Sequence, residues 1–214
     1  MFHSQFTLLG TRRFLPLFLT QTLGAFNDNV FKNALVILIT YTLAAKAGLN
    51  AQLMVTAAAG IFILPFFLFS ATAGQLADKY DKARLIRVVK LTEIILMIGT
   101  AIGFYLESVS FLMIMLFLMG TQSTFFGPLK YGILPDHLAK DELISGNGLI
   151  QAATFLAILL GTVVGGVFIL NDNGVLVISI SILTVAVAGW FASGFIPATS
   201  PAVSVSMVFT VNQA

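Results

Sequence analysis

The residues with the most chemistry to offer sit where so apolar a chain should carry none. Gln21, Asn27, Asp28, Asn29, Lys32 and Asn33 share one stretch whose other positions are mostly Phe, Leu, Val and Ile. At 100° per residue, Gln21, Asp28 and Lys32 fall within about 40° of one another on a helix, with Asn29 nearby. A charge at the centre of a bilayer costs about 2.5–3.5 kcal/mol on insertion scales. Asp28 and Lys32, four residues apart, can offset part of that cost by pairing. Two readings are open. The pair orders a helix bundle and does nothing more, or the whole face lines a water-accessible path for a solute or ion. The surrounding amides favour the path, because a structural ion pair alone does not need them.

A milder version of the same pattern appears later. Asn147, Gln151, Thr154, Gly161, Thr162 and Gly165 occupy one stripe within about 100° of arc. Asn147, Gln151 and Thr154 make its lower part polar enough to touch a solute, while Gly161-x-x-x-Gly165 permits close helix packing. Gly120, Thr124 and Gly127 form another small-residue face suited to packing. Pro65 and Pro128 are expected to bend or end their helices. Glu93 follows Arg84, Arg87 and Lys90, and is expected to snorkel or to pair with Lys90 or Arg87. There is no cysteine, and the two histidines, His3 and His137, lie far apart. Disulfides, thiolate metal sites and iron–sulfur clusters are thereby excluded, and no metal site is expected.

The elements that must position these residues follow from composition. Hydrophobic residues make up 58% of the 214 positions and charged residues only 9%, with a mean hydropathy of +0.99. That is too little charge to clothe a soluble domain of this size. The net charge of +2 suggests no nucleic-acid partner. About 20 apolar residues make a membrane-crossing helix, and six such stretches are expected at roughly 14–43, 52–77, 85–106, 109–128, 146–170 and 175–197. The first could pass for a secretory signal after Arg12 and Arg13. Its length, its polar residues and the lack of a cleavage site make it a retained helix. Residues 1–13 are then an N-terminal segment and 198–214 the start of a polar linker.

Orientation follows from the basic residues. Of the eleven Lys and Arg, nine fall on one side: Arg12, Arg13, Lys79, Lys82, Arg84, Arg87, Lys90, Lys130 and Lys140. Lys46 alone falls on the other, and Lys32 lies within a span. The positive-inside rule then makes the N-terminus and the segment after the sixth span cytoplasmic.

Between the second and third spans runs Gly74-Gln-Leu-Ala-Asp78-Lys79-Tyr-Asp81-Lys82-Ala-Arg84. Gly74 can let helices approach, and Asp78 can cap a helix or meet a cation. The segment resembles the cytoplasmic loop motif of the major facilitator superfamily, with Gly74, Leu76, Ala77 and Asp78 matching and Lys79 and Lys82 keeping the charge. Asp81 stands where a glycine is usual. Gly74, Asp78, Lys79 and Lys82 are therefore candidate gating residues.

Two further stretches, Arg13 to Ala34 and Phe126 to Gly148, resemble the bacterial lysophospholipid transporters of that superfamily. The resemblance covers nearly all of residues 10–197. It implies an all-α membrane protein, the six-helix N-terminal half of a twelve-span transporter of the bacterial inner membrane. It also implies a lysophospholipid cargo and a missing C-terminal six-helix half. An acyltransferase, fused or separate, would reacylate that cargo beyond residue 214, with no catalysis in these residues. Asp28, Asn29 and Lys32 would lie on the translocation path, Lys32 meeting the phosphate and Asp28 an ethanolamine or a coupling cation, H+ or Na+. No other cofactor is expected. Transport of another small solute or drug, and a purely structural membrane subunit, are the alternatives.

Overall fold

The structure is a computed structural model and describes residues 5–199. His3 and the expected linker from residue 200 onward lie outside the described residues. Six long helices occur among those described: α1 (Leu15–Leu38), α2 (Ala51–Lys79), α3 (Lys82–Tyr105), α4 (Val109–Gly132), α5 (Leu143–Phe168) and α6 (Gly174–Ser193). No strand occurs among the described residues. A 3-10 turn, Gln5–Gly10, precedes α1, and a wide π turn, Ile39–Leu43, followed by Ala44–Lys46, prolongs it. A short helical turn, Leu134–His137, separates α4 from α5.

Local chemistry explains the boundaries. Pro16 stands in the first turn of α1, where its missing N–H costs nothing. The side chains of Asn50 and Asp81 accept from Leu53 N and Ala83 N, each at 2.9 Å, and Ser108 accepts from Phe111 N at 3.4 Å. Each satisfies an orphan donor at a helix start. Gly48, at φ 65°, supplies the left-handed turn between α1 and α2. Pro65 and Pro128, expected to bend or end their helices, end neither: α2 and α4 run through them to Lys79 and Gly132.

By length and composition, the helices within Ala51–Lys79, Val109–His137, Leu143–Phe168 and Gly174–Ser193 can each cross a membrane. The two others, α1 and α3, carry charge more than one turn from either end: Asp28 and Lys32, and Arg87, Lys90 and Glu93.

Two close helix pairs frame the bundle. A β-carbon on Gly161 or Gly165 of α5 would fall against Phe26 O or Val30 O of α1, so these backbones touch. Gly120 brings α4 equally close to Phe62 O of α2. The helix α6 packs on both α1 and α3, and α3 on α4. Phe31, Leu35, Met97, Phe104, Met119, Ile178 and Ile182 close the core between them. Gly127 departs from the packing expected of it. Nothing lies within 4 Å of where its β-carbon would be, and it borders a cavity instead.

Candidate functional site

The cavity beside Gly127 encloses about 370 Å³ and draws walls from five helices. Its polar lining includes Gln21, Asp28, Asn29 and Lys32 from α1, Lys90 and Glu93 from α3, Gln122, Ser123, Lys130 and Tyr131 from α4, and Thr154 from α5. Phe62 and Phe66 of α2 and Phe126 of α4 supply aromatic surface. The polar face of α1 thus looks into an interior cleft.

Asp28 and Lys32 do not form the expected ion pair. Asp28 Oδ2 instead accepts from Ser123 Oγ at 2.8 Å. The Lys32 ammonium lies over the Phe62 ring, 4.3 Å from its centre, where the ring's quadrupole attracts it. The two side chains are held by different helices, α4 and α2, and both line the cavity.

One residue earlier, Asn27 points about 100° away and is fully buried. It lies behind the cavity rather than in its lining. Its Nδ2 donates to Glu93 Oε1 at 2.9 Å, and its Oδ1 is buried without a partner. Glu93 Oε2 receives Lys90 Nζ at 2.5 Å and Gln122 Nε2 at 3.3 Å. Lys90 also sits 5.2 Å from the Phe126 ring centre. Both side chains of the Lys90–Glu93 pair are at most 2% exposed. Glu93 therefore pairs with Lys90, as one of its expected alternatives had it, but within the bundle rather than by snorkelling. Desolvation makes a pair of this kind costly unless further hydrogen bonds satisfy it, and Asn27 and Gln122 provide them.

The α5 residues divide. Thr154 Oγ1 accepts from Gln21 Nε2 at 3.0 Å and lines the cavity. Gln151 Nε2 donates to Tyr131 Oη at 2.8 Å at the cavity's edge. Asn147 is not part of it: its Nδ2 donates to Leu143 O of its own helix, at 2.9 Å. Asn33, on the other side of α1, donates to Thr162 Oγ1 at 3.1 Å. Lys90, Glu93, Gln122 and Ser123 were not among the path residues expected from sequence. The signal for them was faint: an i,i+3 charge pair in α3 and a Gln-Ser dipeptide in the apolar run of α4.

The loop motif works differently from its expected form. Nothing lies near the position a β-carbon would take on Gly74, and Asp78 and Lys79 are exposed. Among the described residues, Asp78 makes no ion pair. The cap of α3 is Asp81, the residue standing at the usual glycine position. Burial by itself would raise the Asp81 pKa, but hydrogen bonds from Thr199 N, Thr199 Oγ1 and the α3 backbone outweigh it and hold the carboxyl below its ordinary value. Lys82 is nearly buried and pairs with Asp136 at 3.1 Å. Arg13 makes a two-point contact with Glu142 at 2.7 and 2.5 Å. Arg87 Nη2 donates to Ile196 O at 3.0 Å. The basic end of the bundle is cross-tied by these contacts.

Comparison with known proteins agrees with this architecture. A family model described as transmembrane secretion effector matches residues 4–193. The lysophospholipid transporter LplT of Salmonella schwarzengrund (strain CVM19633) is 30% identical over 161 residues, which is 75% of this chain and 37% of that protein. Its counterparts in Salmonella newport (strain SL254) and Salmonella typhimurium (strain LT2) match to the same extent. The chain thus spans little more than a third of the length of these relatives.

Proposed function

The chain belongs to the transmembrane secretion effector family of the major facilitator type and is a multi-pass membrane protein, and we propose that it acts as one six-helix half of a lysophospholipid transporter. The cargo crosses the bacterial inner membrane and is reacylated by a separate or fused acyltransferase. The observation that carries this reading is a cleft lined with opposite, separated charges inside an otherwise apolar bundle. The names of these relatives, lysophospholipid transporters, support the cargo.

In this reading Lys32 meets the lipid phosphate, since a free ammonium beside an aromatic ring is a point charge available to an anion. Asp28 faces the ethanolamine or holds a coupling cation, H+ or Na+. A second six-helix bundle completes the cleft, because binding sites of such transporters lie at the midplane between repeats. The nine-to-one distribution of basic residues supports a cytoplasmic N-terminus. The cross-ties at that end, Lys82–Asp136 and Asp81–Thr199, serve as the latch that the gating motif was expected to form.

Flux of labelled lysophospholipid through the full-length transporter tests the proposal. Asp28→Asn and Lys32→Ala should each reduce it at least tenfold, and wild-type flux in both would remove the proposal. The family description names no lipid, and movement of another small solute is the second reading. Competition between lysophospholipid and candidate solutes for the same flux separates the two.

A further inference from the structure

The polar cavity has an apolar neighbour. A second cavity of about 330 Å³ opens between α1 and α2, bordered by Leu35 and Val36 on one side and Val55, Ala58 and Ala59 on the other, with Leu116 of α4 behind. The slot exists because α1 and α2 meet chiefly at the Ile39–Leu43 turn, and because alanines leave the α2 wall low. Asn29, Lys32 and Phe62 border both cavities. The Lys32 ammonium, held over Phe62, therefore stands at the seam between a charged chamber and an apolar one.

Resting on the reading of a lysophospholipid cargo, we infer that this slot between α1 and α2 receives the acyl chain. The phosphate then lies at Lys32 and the headgroup in the charged chamber. The order of chemistry along the two cavities, charged groups, one fixed cation, then aliphatic wall, is the order along a single-chain phospholipid: headgroup, phosphate, hydrocarbon. An acyl chain left in the charged chamber would lie against Asp28, Glu93 and Gln122. In the slot it meets aliphatic side chains, and each buried methylene adds to affinity.

The test is binding of lysophosphatidylethanolamines of graded chain length to the full-length transporter in lipid nanodiscs, by displacement of a fluorescent lysolipid. Wild-type affinity should rise with chain length. Ala59→Phe and Val55→Phe, which fill the slot, should weaken the long-chain lipid by about tenfold, the worth of two methylenes, and leave the shortest unchanged. A lysolipid with a photoreactive group at the chain end should label the wild-type chain within residues 51–79, which needs no variant to fold. Long-chain affinity unchanged in both variants overturns the inference, as does labelling confined to α5 or α6. Either is expected if a helix of a second bundle fills the slot. Failure of the wild-type chain to bind any lysophospholipid overturns the cargo reading itself and is distinguishable from these.

Discussion

Gly24 of α1 and Lys90 of α3 compete for one volume: a β-carbon on Gly24 would collide with the Lys90 ammonium. The missing side chain is what leaves room against α1 for the Lys90 ammonium where it meets Glu93, one turn along the same helix. Gly24→Ala should force Lys90 out of its contact with Glu93 and destabilise the protein by about 1–3 kcal/mol, the usual cost of overpacking. Thermal unfolding in detergent reads the loss.

The pair itself makes a sharper prediction. Lys90→Met leaves Glu93 buried without its cation and should cost about 3–5 kcal/mol. Removing both charges, in Lys90→Met with Glu93→Leu, should recover most of that stability. If the single and double variants melt alike, the two side chains are not coupled in the folded protein.

Cation dependence distinguishes the two roles open to Asp28. If it holds the coupling ion, Asp28→Asn should abolish the response of flux to Na+ replacement or to a pH gradient. If it meets the ethanolamine, the variant should keep that response and lose its preference among headgroups. Flux measured over both series in proteoliposomes decides between them.

Gly161 and Gly165 predict a packing effect without a chemical one. Substituting either by Ala places a methyl group against an α1 carbonyl, and rigid backbone does not yield as a side chain does. Each should cost about 1–3 kcal/mol, seen as a lowered melting temperature. Ala at Gly127, where the space is open, should leave stability unchanged.

Acid should loosen the basic end of the bundle. Burial disfavours the charged ring of His137 and holds its pKa below the ordinary 6.5. The unfolded chain therefore takes up the proton first as pH falls. Stability from this group is complete above 6.5 and declines beneath it, toward the lower folded value. His137→Gln should flatten that part of the profile. Asp81, whose carboxyl is held low, contributes stability that persists through this range and is lost only beneath the usual carboxylate values near about 3.9. Asp81→Ala should remove about 0.5–2 kcal/mol at neutral pH.

The helices were legible in the sequence because lipid leaves the backbone few alternatives, and runs of apolar residues broken by Asn50, Asp81 and Ser108 mark their own ends. The polar side of α1 was legible for a similar reason, since Gln21, Asp28 and Lys32 repeat at helical spacing. What spacing along one helix could not supply was the partner across the bundle. Asp28 and Lys32 are four residues apart, yet Ser123 and Phe62, remote in sequence, take the contacts each would have given the other. Asn147 shares a stripe with Thr154 but sits two turns below the cleft and bonds its own helix. The loop motif misled in another way. Its expected cap, Asp78, was chosen by position, whereas Asp81 has the donors.

Asn27 and Asp28 are consecutive, and a helix sends consecutive side chains about 100° apart. One is fastened to Glu93 of α3 and the other to Ser123 of α4. The helix α1 therefore behaves as an axle gripped from two sides. A guest that draws Asp28 from Ser123 by turning this axle must also strain the amide that steadies Glu93, and with it the grip on Lys90. Occupancy of the cleft and the strength of a sealed ion pair would then share a single coupling energy, each altering the other by the same factor.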